Sequence, residues 1–316
     1  MKVDQASATA IEWAAGLIRS GQLVAFPTET VYGLGADATQ DQAVAAIFEA
    51  KGRPRFNPLI VHVPDLASAR QLGRFGPLAV TLAQACWPGP LTLVVPRATN
   101  CPISQLATAG LDTIALRVPR HAVALALLVA AGRPIAAPSA NPSGHVSPTL
   151  AEHVAADLKE RVAMILDGGP AEVGLESTVV DATGSQPVML RSGGTTREEI
   201  ERACGQVSLL ATEGGERPVS PGQLLSHYAP SVPVRLNVVS LRADEALLAF
   251  GPSLPATSGL VFNLSPGADL REAAANLFAG LRSLDRPGVS AIAVMAIPHT
   301  GLGTAINDRL TRAARR

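Results

Sequence analysis

Cysteine is scarce in this 316-residue sequence, and the three present (Cys86, Cys101, Cys204) are odd in number with no CxxC spacing. That excludes a disulfide-framed scaffold and a cysteine-ligated zinc site, and points to free thiols in a reducing cytoplasm. An excess of either charge is also missing, because 26 Lys and Arg balance 26 Asp and Glu. A neutral chain lacks the basic footprint of a protein whose main task is gripping nucleic acid, so any link to RNA is expected at one remove. Long apolar runs are absent too. The longest, Ala122 to Ala131, stops at Gly132-Arg133-Pro134 and falls well short of a bilayer span. The opening MKVDQASATAIEW has no cationic start followed by an apolar core, so no signal peptide is expected. The reading is a soluble cytoplasmic protein. A Walker loop is also missing, so any phosphate site must be of another design.

What the chain does have is apolar bulk. Hydrophobic residues make up 47% of it against 16% charged, which is enough for real cores and excludes disorder. The length suits one large domain or two ordinary ones. Periodicity predicts a helix over 9–19, capped by Ser7 and stopped at Gly21, and others over 42–50, 78–86, 122–131, 150–159 and 196–204. Strands are predicted over 23–26, 59–63, 91–95, 113–118, 134–137, 164–166, 177–181 and 188–190. The two kinds interleave without a strict βαβ rhythm. The fold class is therefore α/β, with α+β character in the first domain: a twisted mixed sheet rather than a doubly wound one.

From Gly205 to about Val232 the pattern dissolves into Gly, Pro and Ser. Beyond it, strands are predicted over 234–238, 259–264 and 289–296, and helices over 243–248, 270–284 and 302–315. Three such βα units make a small Rossmann-like parallel α/β domain. The expected division is a catalytic domain over 1–205, a linker over 206–232 and a small domain over 233–316. There is no internal repeat.

Two stretches carry most of the chemistry. Lys51-Gly-Arg53-Pro-Arg55-Phe-Asn57-Pro packs three cations into five residues between a helix and a strand, and Pro54 and Pro58 stiffen it. Fixing loop cations lowers the entropy lost on ligand binding, which favours a phosphate site over a solvated turn. Pro138-Ser139-Ala-Asn141-Pro-Ser143-Gly crowds hydroxyl and amide groups between two prolines, though Asn-Pro and Ser-Gly also punctuate ordinary turns. Arg117 lies in an apolar strand and needs an anionic partner; a substrate carboxylate and an internal Asp or Glu are both open. His62 sits in Leu-Ile-Val-His-Val, opposite in face to Val61 and Val63. A lone histidine there is more often a satisfied core residue than a ligand. Glu176-Ser-Thr178, Arg191-Ser-Gly-Gly and Thr28-Glu29-Thr30 add polar groups at strand ends, where α/β ligand sites collect. Gly33-Leu-Gly35-Ala-Asp-Ala38 matches a dinucleotide fingerprint as a string, but the strand–turn–helix context is wrong and it is rejected.

Together, PTETVYGLGADA (27–38), KGRPRFNPLIVHV (51–63), WPGPLTLVV (87–95), IALRVP (114–119), PSANPSG (138–144), ESTVVD (176–181), SPGQLLSHYAP (220–230) and GLGTAINDRL (301–310) resemble the YrdC-like threonylcarbamoyl-AMP synthases in their longer, two-domain form. The resemblance runs along essentially the whole chain in order. One departure is Ser192, where such a chain is expected to carry proline. Enzymes of this kind join L-threonine, bicarbonate and ATP into threonylcarbamoyl-adenylate with release of pyrophosphate. A separate tRNA threonylcarbamoyl-transferase complex then modifies the tRNA.

The resemblance implies that Lys51 and Arg53 are catalytic. It implies that Arg53, Asn57, Thr113, Asn141, Ser147, Thr149, Arg191 and Tyr228 bind ATP. Thr30, His62, Arg117, Ser139 and Ser177 are implied to bind threonine, with Arg117 on its carboxylate and His62 turned to the ligand. Mg2+ is expected on the ATP phosphates, with no protein metal site, and at most weak direct contact with tRNA. The linker SPGQLLSHYAP is expected to act as a lid that keeps water from a labile intermediate. The alternative is a nucleotide- or RNA-binding module of the same fold without synthase activity. A carbamoyl-handling module of hydrogenase maturation is a further rival, but it would bring an acylphosphatase segment and zinc-finger cysteines.

Overall fold

The structure is a computed structural model that describes residues 2–209, 227–257 and 259–315. The chain opens with an edge strand β1 (Lys2–Gln5), helix α1 (Ala8–Arg19) and two strands, β2 (Val24–Phe26) and β3 (Gly33–Asp37). Ser7 caps α1 as its sequence suggests, its hydroxyl accepting from Ala10 N. Next come α2 (Asp41–Lys51), β4 (Ile60–His62), α3 (Leu66–Leu72), α4 (Pro77–Cys86), β5 (Leu91–Pro96) and β6 (Thr113–Arg117). Helix α5 (Ala122–Ala131) ends at Gly132, whose φ of 60° is the left-handed conformation that stops helices cheaply. The rest of this half is β7 (Ile135–Ala136), α6 (Ala151–Leu158), β8 (Met164–Asp167), β9 (Thr178–Asp181), β10 (Val188–Arg191), α7 (Arg197–Cys204) and β11 (Ser208–Leu209).

These strands form one sheet in the order β1-β8-β2-β3-β7-β4-β6-β5-β9-β10-β11. Parallel pairs such as β4–β6 and β5–β9 alternate with antiparallel pairs such as β2–β3 and β5–β6, so the sheet is mixed, as expected. Val61, Leu93 and Leu116 point to one face and join Val44, Ile47 and Leu82 in the largest core. Gly33–Asp37, the rejected fingerprint, is strand β3 and pairs antiparallel with β2. Strands β1, β3 and β11 and helix α3 went unpredicted, and β11 falls inside the stretch expected to be linker.

The second unit holds β12 (Val234–Arg235), β13 (Glu245–Ala249), β14 (Val261–Asn263), α8 (Leu270–Leu284), β15 (Ala291–Val294) and α9 (Leu302–Ala314). Its four strands are all parallel in the order β12-β15-β13-β14. The helix predicted over 243–248 is instead the strand β13, so only two of the four strands are followed by a helix within the unit. Glu-Ala-Leu-Leu-Ala favours helix locally, but every residue of β13 is buried between β14 and β15. Burial in a central parallel strand overrides that propensity.

The two units share a core. Val31, Val146 and Leu175 of the first pack with Leu248, Phe278 and Ile306 of the second. Gly174 lies where they meet, with a φ of +69°, and a Cβ there would come within 2.5 Å of the α8 backbone at Ala274 and Ala275. Arg282 adds an ion pair to Asp157 at 2.5 Å and a bond to Val146 O. Among the described residues no helix is long and apolar enough to cross a membrane.

Gly280 separates two opposed effects. Ala at an exposed helix position would stabilise by about 1 kcal/mol. Here its Cβ would lie 2.8 Å from Phe262 and 2.9 Å from Leu248. Overpacking should prevail, so Gly280→Ala is expected to lower the denaturant-unfolding free energy by about 1–3 kcal/mol. A stabilised variant would refute this packing of α8 on β13 and β14.

Candidate active site

The alternation of β4 sends Val61 to the core and Ile60 and His62 to the opposite face. There, with Gly33 of β3 and with Ala137 and Ser139 just beyond β7, they form the floor of a cleft that is partly open to solvent. His62 is in register with Arg117 on β6, and Ser139 bridges to Gly33 on β3. Ser177 and Arg191 enter from β9 and β10, Arg53 from the loop after α2, and His227 and Tyr228 from the far side. The cleft thus lies across a sheet face as well as at strand ends.

Arg117 resolves its open choice internally. It is buried, its Nη2 lies 2.9 Å from Glu29 Oε1, its Nη1 donates to Thr30 Oγ1 at 2.9 Å, and its Nε donates to Gly89 O. Burial pushes the Glu29 carboxyl up, but the Arg117 charge and backbone N–H groups outweigh it, leaving Glu29 below the usual carboxylate range. The guanidinium still borders the cleft. His62 is buried beside it, and burial, with the Arg117 charge, pushes its pKa down to about 3. The ring is neutral at ordinary pH and meets Phe26 edge-on at 6.2 Å.

The cationic cluster divides. Arg55 is exposed, whereas Lys51 and Arg53 are buried. Lys51 Nζ donates to Ser139 O at 2.6 Å and to Asn141 O, so it fastens the α2 terminus beneath the serine–asparagine loop. Arg53 donates to Asn57 O and Pro58 O, and thereby folds its own loop. Burial, then the adjacent Arg191, disfavours the charged form of Arg53, and burial with Arg53 does the same to Lys51. Arg191 is held by the Ser177 carbonyl at 2.8 Å, while the Ser177 hydroxyl meets Thr92 at 2.7 Å. Cations crowded and desolvated in this way favour an anion.

The other expected residues lie around this centre without lining it. Asn57, Asn141 and Thr149 are buried, and Asn57 Oδ1 and Nδ2, Asn141 Oδ1 and Thr149 Oγ1 have no hydrogen-bond partner among the described residues. Buried polar groups are nearly always satisfied, so such atoms mark a place for ligand or water. Thr113 begins β6, about 13 Å along the strand from Arg117. Ser147 Oγ donates to Glu176 Oε1 at 2.6 Å.

Glu29, Glu176, His227 and Arg309 were given no individual site role from the sequence, although all four lie in motifs noted there. Glu176 borders the cleft, and its other oxygen accepts from Arg309 Nε at 2.8 Å. Burial would raise the Glu176 carboxyl, but Arg309 and then Arg191 prevail and bring it down to about 2. Arg309, on α9, is fully buried, which a charged residue on the apolar Ile306–Leu310–Ala313 face of an amphipathic helix could have signalled. Tyr228 has a φ of +65° and stacks on Phe278 at 5.5 Å, with the Arg309 guanidinium 5.1 Å from its ring centre. Of the expected lid over 220–230, residues 220–226 lie outside the described residues.

The family model for Sua5, YciO and YrdC, described as "Telomere recombination", matches residues 16–193. A second, "Threonylcarbamoyl-AMP synthase, C-terminal domain", matches 195–315. The Bacillus subtilis threonylcarbamoyl-AMP synthase is 44% identical, covering 96% of this chain and 92% of its own. This chain belongs to the threonylcarbamoyl-AMP synthase family. The Pyrococcus abyssi enzyme of the same name is likewise 44% identical, over 96% of this chain and 94% of its own. The crystal structure of P. abyssi Sua5 complexed with L-threonine superposes with a TM-score of 0.90 at 41% identity, covering 99% of this chain and 96% of that one. The mixed sheet and the parallel second sheet are thus those of the family's two-domain members.

Burial of neutral His62 and His227, both pushed down to about 3, sets a pH dependence. The unfolded chain takes up these protons near 6.5 and the native state does not. Stability is therefore fully present above that pH and falls as pH drops, by up to about 1.4 kcal/mol per pH unit per histidine. His62→Gln should remove one histidine's share of the slope between about pH 6 and 5 in equilibrium denaturation. An unchanged slope would show that His62 titrates alike in both states.

Proposed function

We propose that this cleft joins L-threonine, bicarbonate and ATP into threonylcarbamoyl-AMP with release of pyrophosphate, supplying the threonylcarbamoyl group for N6-threonylcarbamoyladenosine in tRNA. The observation that carries the reading is the convergence in one cleft of two adjacent buried cations, Arg53 and Arg191, with a third, Arg117, separately anchored by Glu29. Two adjacent cations suit a polyphosphate, and a guanidinium that Glu29 and Thr30 hold at the cleft border suits an amino-acid carboxylate. Thr30, His62, Arg117, Ser139 and Ser177 form the threonine side in this reading. Lys51, Arg53, Asn57, Thr113, Asn141, Ser147, Thr149, Arg191 and Tyr228 form the ATP side.

In this scheme the neutral threonine amine attacks CO2 with loss of a proton to solvent, or bicarbonate with loss of water, to give an N-carboxylate. One carboxylate oxygen then attacks the α-phosphorus, and pyrophosphate leaves. Negative charge grows on the phosphate oxygens, where Arg53 and Arg191 stabilise it without reorganising. Lys51 holds the Ser139–Asn141 backbone that both ligands would meet. His62 has too low a pKa to take a proton from an ammonium, so its part is orientation. Mg2+ on the phosphates belongs to the reading. Among the described residues no three His, Cys, Asp or Glu side chains converge to hold an ion, and no step is routed through one.

Residues 1–205 would be the catalytic domain, 206–232 the linker and lid, and 233–316 a small Rossmann-like domain. The three cysteines are unpaired, in keeping with the expected cytoplasmic setting. The product would pass to a tRNA threonylcarbamoyl-transferase complex.

Pyrophosphate release from ATP, with threonine and bicarbonate omitted in turn, tests the reading. Release should require both. Arg53→Ala should cut kcat by about 100-fold or more, and Arg117→Met should raise the threonine KM by about 100-fold with little change for ATP. Tight nucleotide or RNA binding without turnover would favour a binding module instead.

A further inference from the structure

Glu176 is the one carboxylate among the described residues lining a cleft otherwise bordered by Arg53, Arg117 and Arg191. A carboxylate facing a polyphosphate opposes it unless its charge is taken up elsewhere. Both Glu176 oxygens are engaged on the side away from the cleft floor, one by Ser147 Oγ at 2.6 Å and one by Arg309 Nε at 2.8 Å. Arg309 is fully buried and does not border the cleft. It comes from the second unit and also donates to Ser192 O at 2.8 Å. Its guanidinium lies 5.1 Å from the ring centre of Tyr228, within the range of a cation–π contact, and that ring stacks on Phe278 of α8. One side chain of the second unit thus fixes both the carboxylate and the aromatic ring that the first unit's cleft presents.

We propose that Arg309 is a positioning residue for nucleotide: it neutralises Glu176 from behind and seats Tyr228, so that ATP enters only when the second unit is docked. This rests on the reading that the cleft takes ATP. Without Arg309, Glu176 would keep its charge among Lys51, Arg191 and His227, drawing the first two away from phosphate. With Glu176 uncharged, the same loss would matter far less.

The experiment measures the Kd for ATP by calorimetry, and the KM values for ATP and threonine, in the full chain. Arg309→Met should weaken ATP about tenfold or more while the threonine KM stays within about twofold. Adding Glu176→Gln to that variant should restore most of the ATP affinity, which a role confined to holding the two units together would not produce. If Arg309→Met does not fold, Arg309→Lys, which keeps the charge but loses the fork, should weaken ATP by a smaller factor, and Glu176→Gln added to it should recover that loss. Equal losses for both substrates, no rescue by Glu176→Gln, or unchanged ATP affinity would overturn the proposal. Wild-type protein that binds ATP without threonine-dependent pyrophosphate release would defeat the synthase reading yet leave this proposal to its binding data. Wild-type protein that does not bind ATP would overturn both.

Discussion

Burying positive charge around one cleft is the constraint that organises this molecule. Lys51, Arg53, Arg117, Arg191 and Arg309 are all buried, and each must find an acceptor or lose more to desolvation than its charge is worth. The solutions differ. Lys51, Arg53 and Arg191 take backbone carbonyls from the loops that shape the cleft, so the same bonds that satisfy them also fix those loops. Arg117 and Arg309 take carboxylates, Glu29 and Glu176. The first group keeps its net positive charge for a ligand, and the second is largely neutralised within the protein. A cleft arranged like this distinguishes sites for strong anions from sites for oriented hydrogen bonding.

The second unit is part of that arrangement. A shared core, the close approach at Gly174 and the Arg282–Asp157 pair bring α8 and α9 against the loops that carry Ser147, Glu176 and Ser192. Arg309 binds the carbonyl of residue 192, a group that any residue supplies. Serine in place of the proline expected there therefore leaves the contact intact.

Much of the fold was legible because its punctuation is local. Gly132 ends α5 and Asp269 begins α8 where the sequence put them. Strand β13 was not legible, because its helix-favouring residues are outvoted by two flanking strands, one of which comes more than forty residues later. Strand β1 escaped because it is a short, mostly exposed edge whose pairing with β8 spans most of the first unit. In the site, Arg117 and His62 stood out as polar residues in apolar strands, and the structure places both on the cleft wall. The Glu176–Arg309 pair did not, since an ion pair across two units leaves no trace in spacing, although a charge on the apolar face of α9 marked Arg309 by itself.

That ion pair also orders events in time. Glu176 and its counter-charge are 133 residues apart in the chain. At a synthesis rate of roughly 5–20 residues per second, the carboxylate exists for about 7 to 27 seconds before its guanidinium emerges. During that interval the nascent first unit holds the Glu176 carboxylate through Ser147, without the guanidinium that later balances its charge. Glu176 therefore reaches its final charge balance only once α9 has been made.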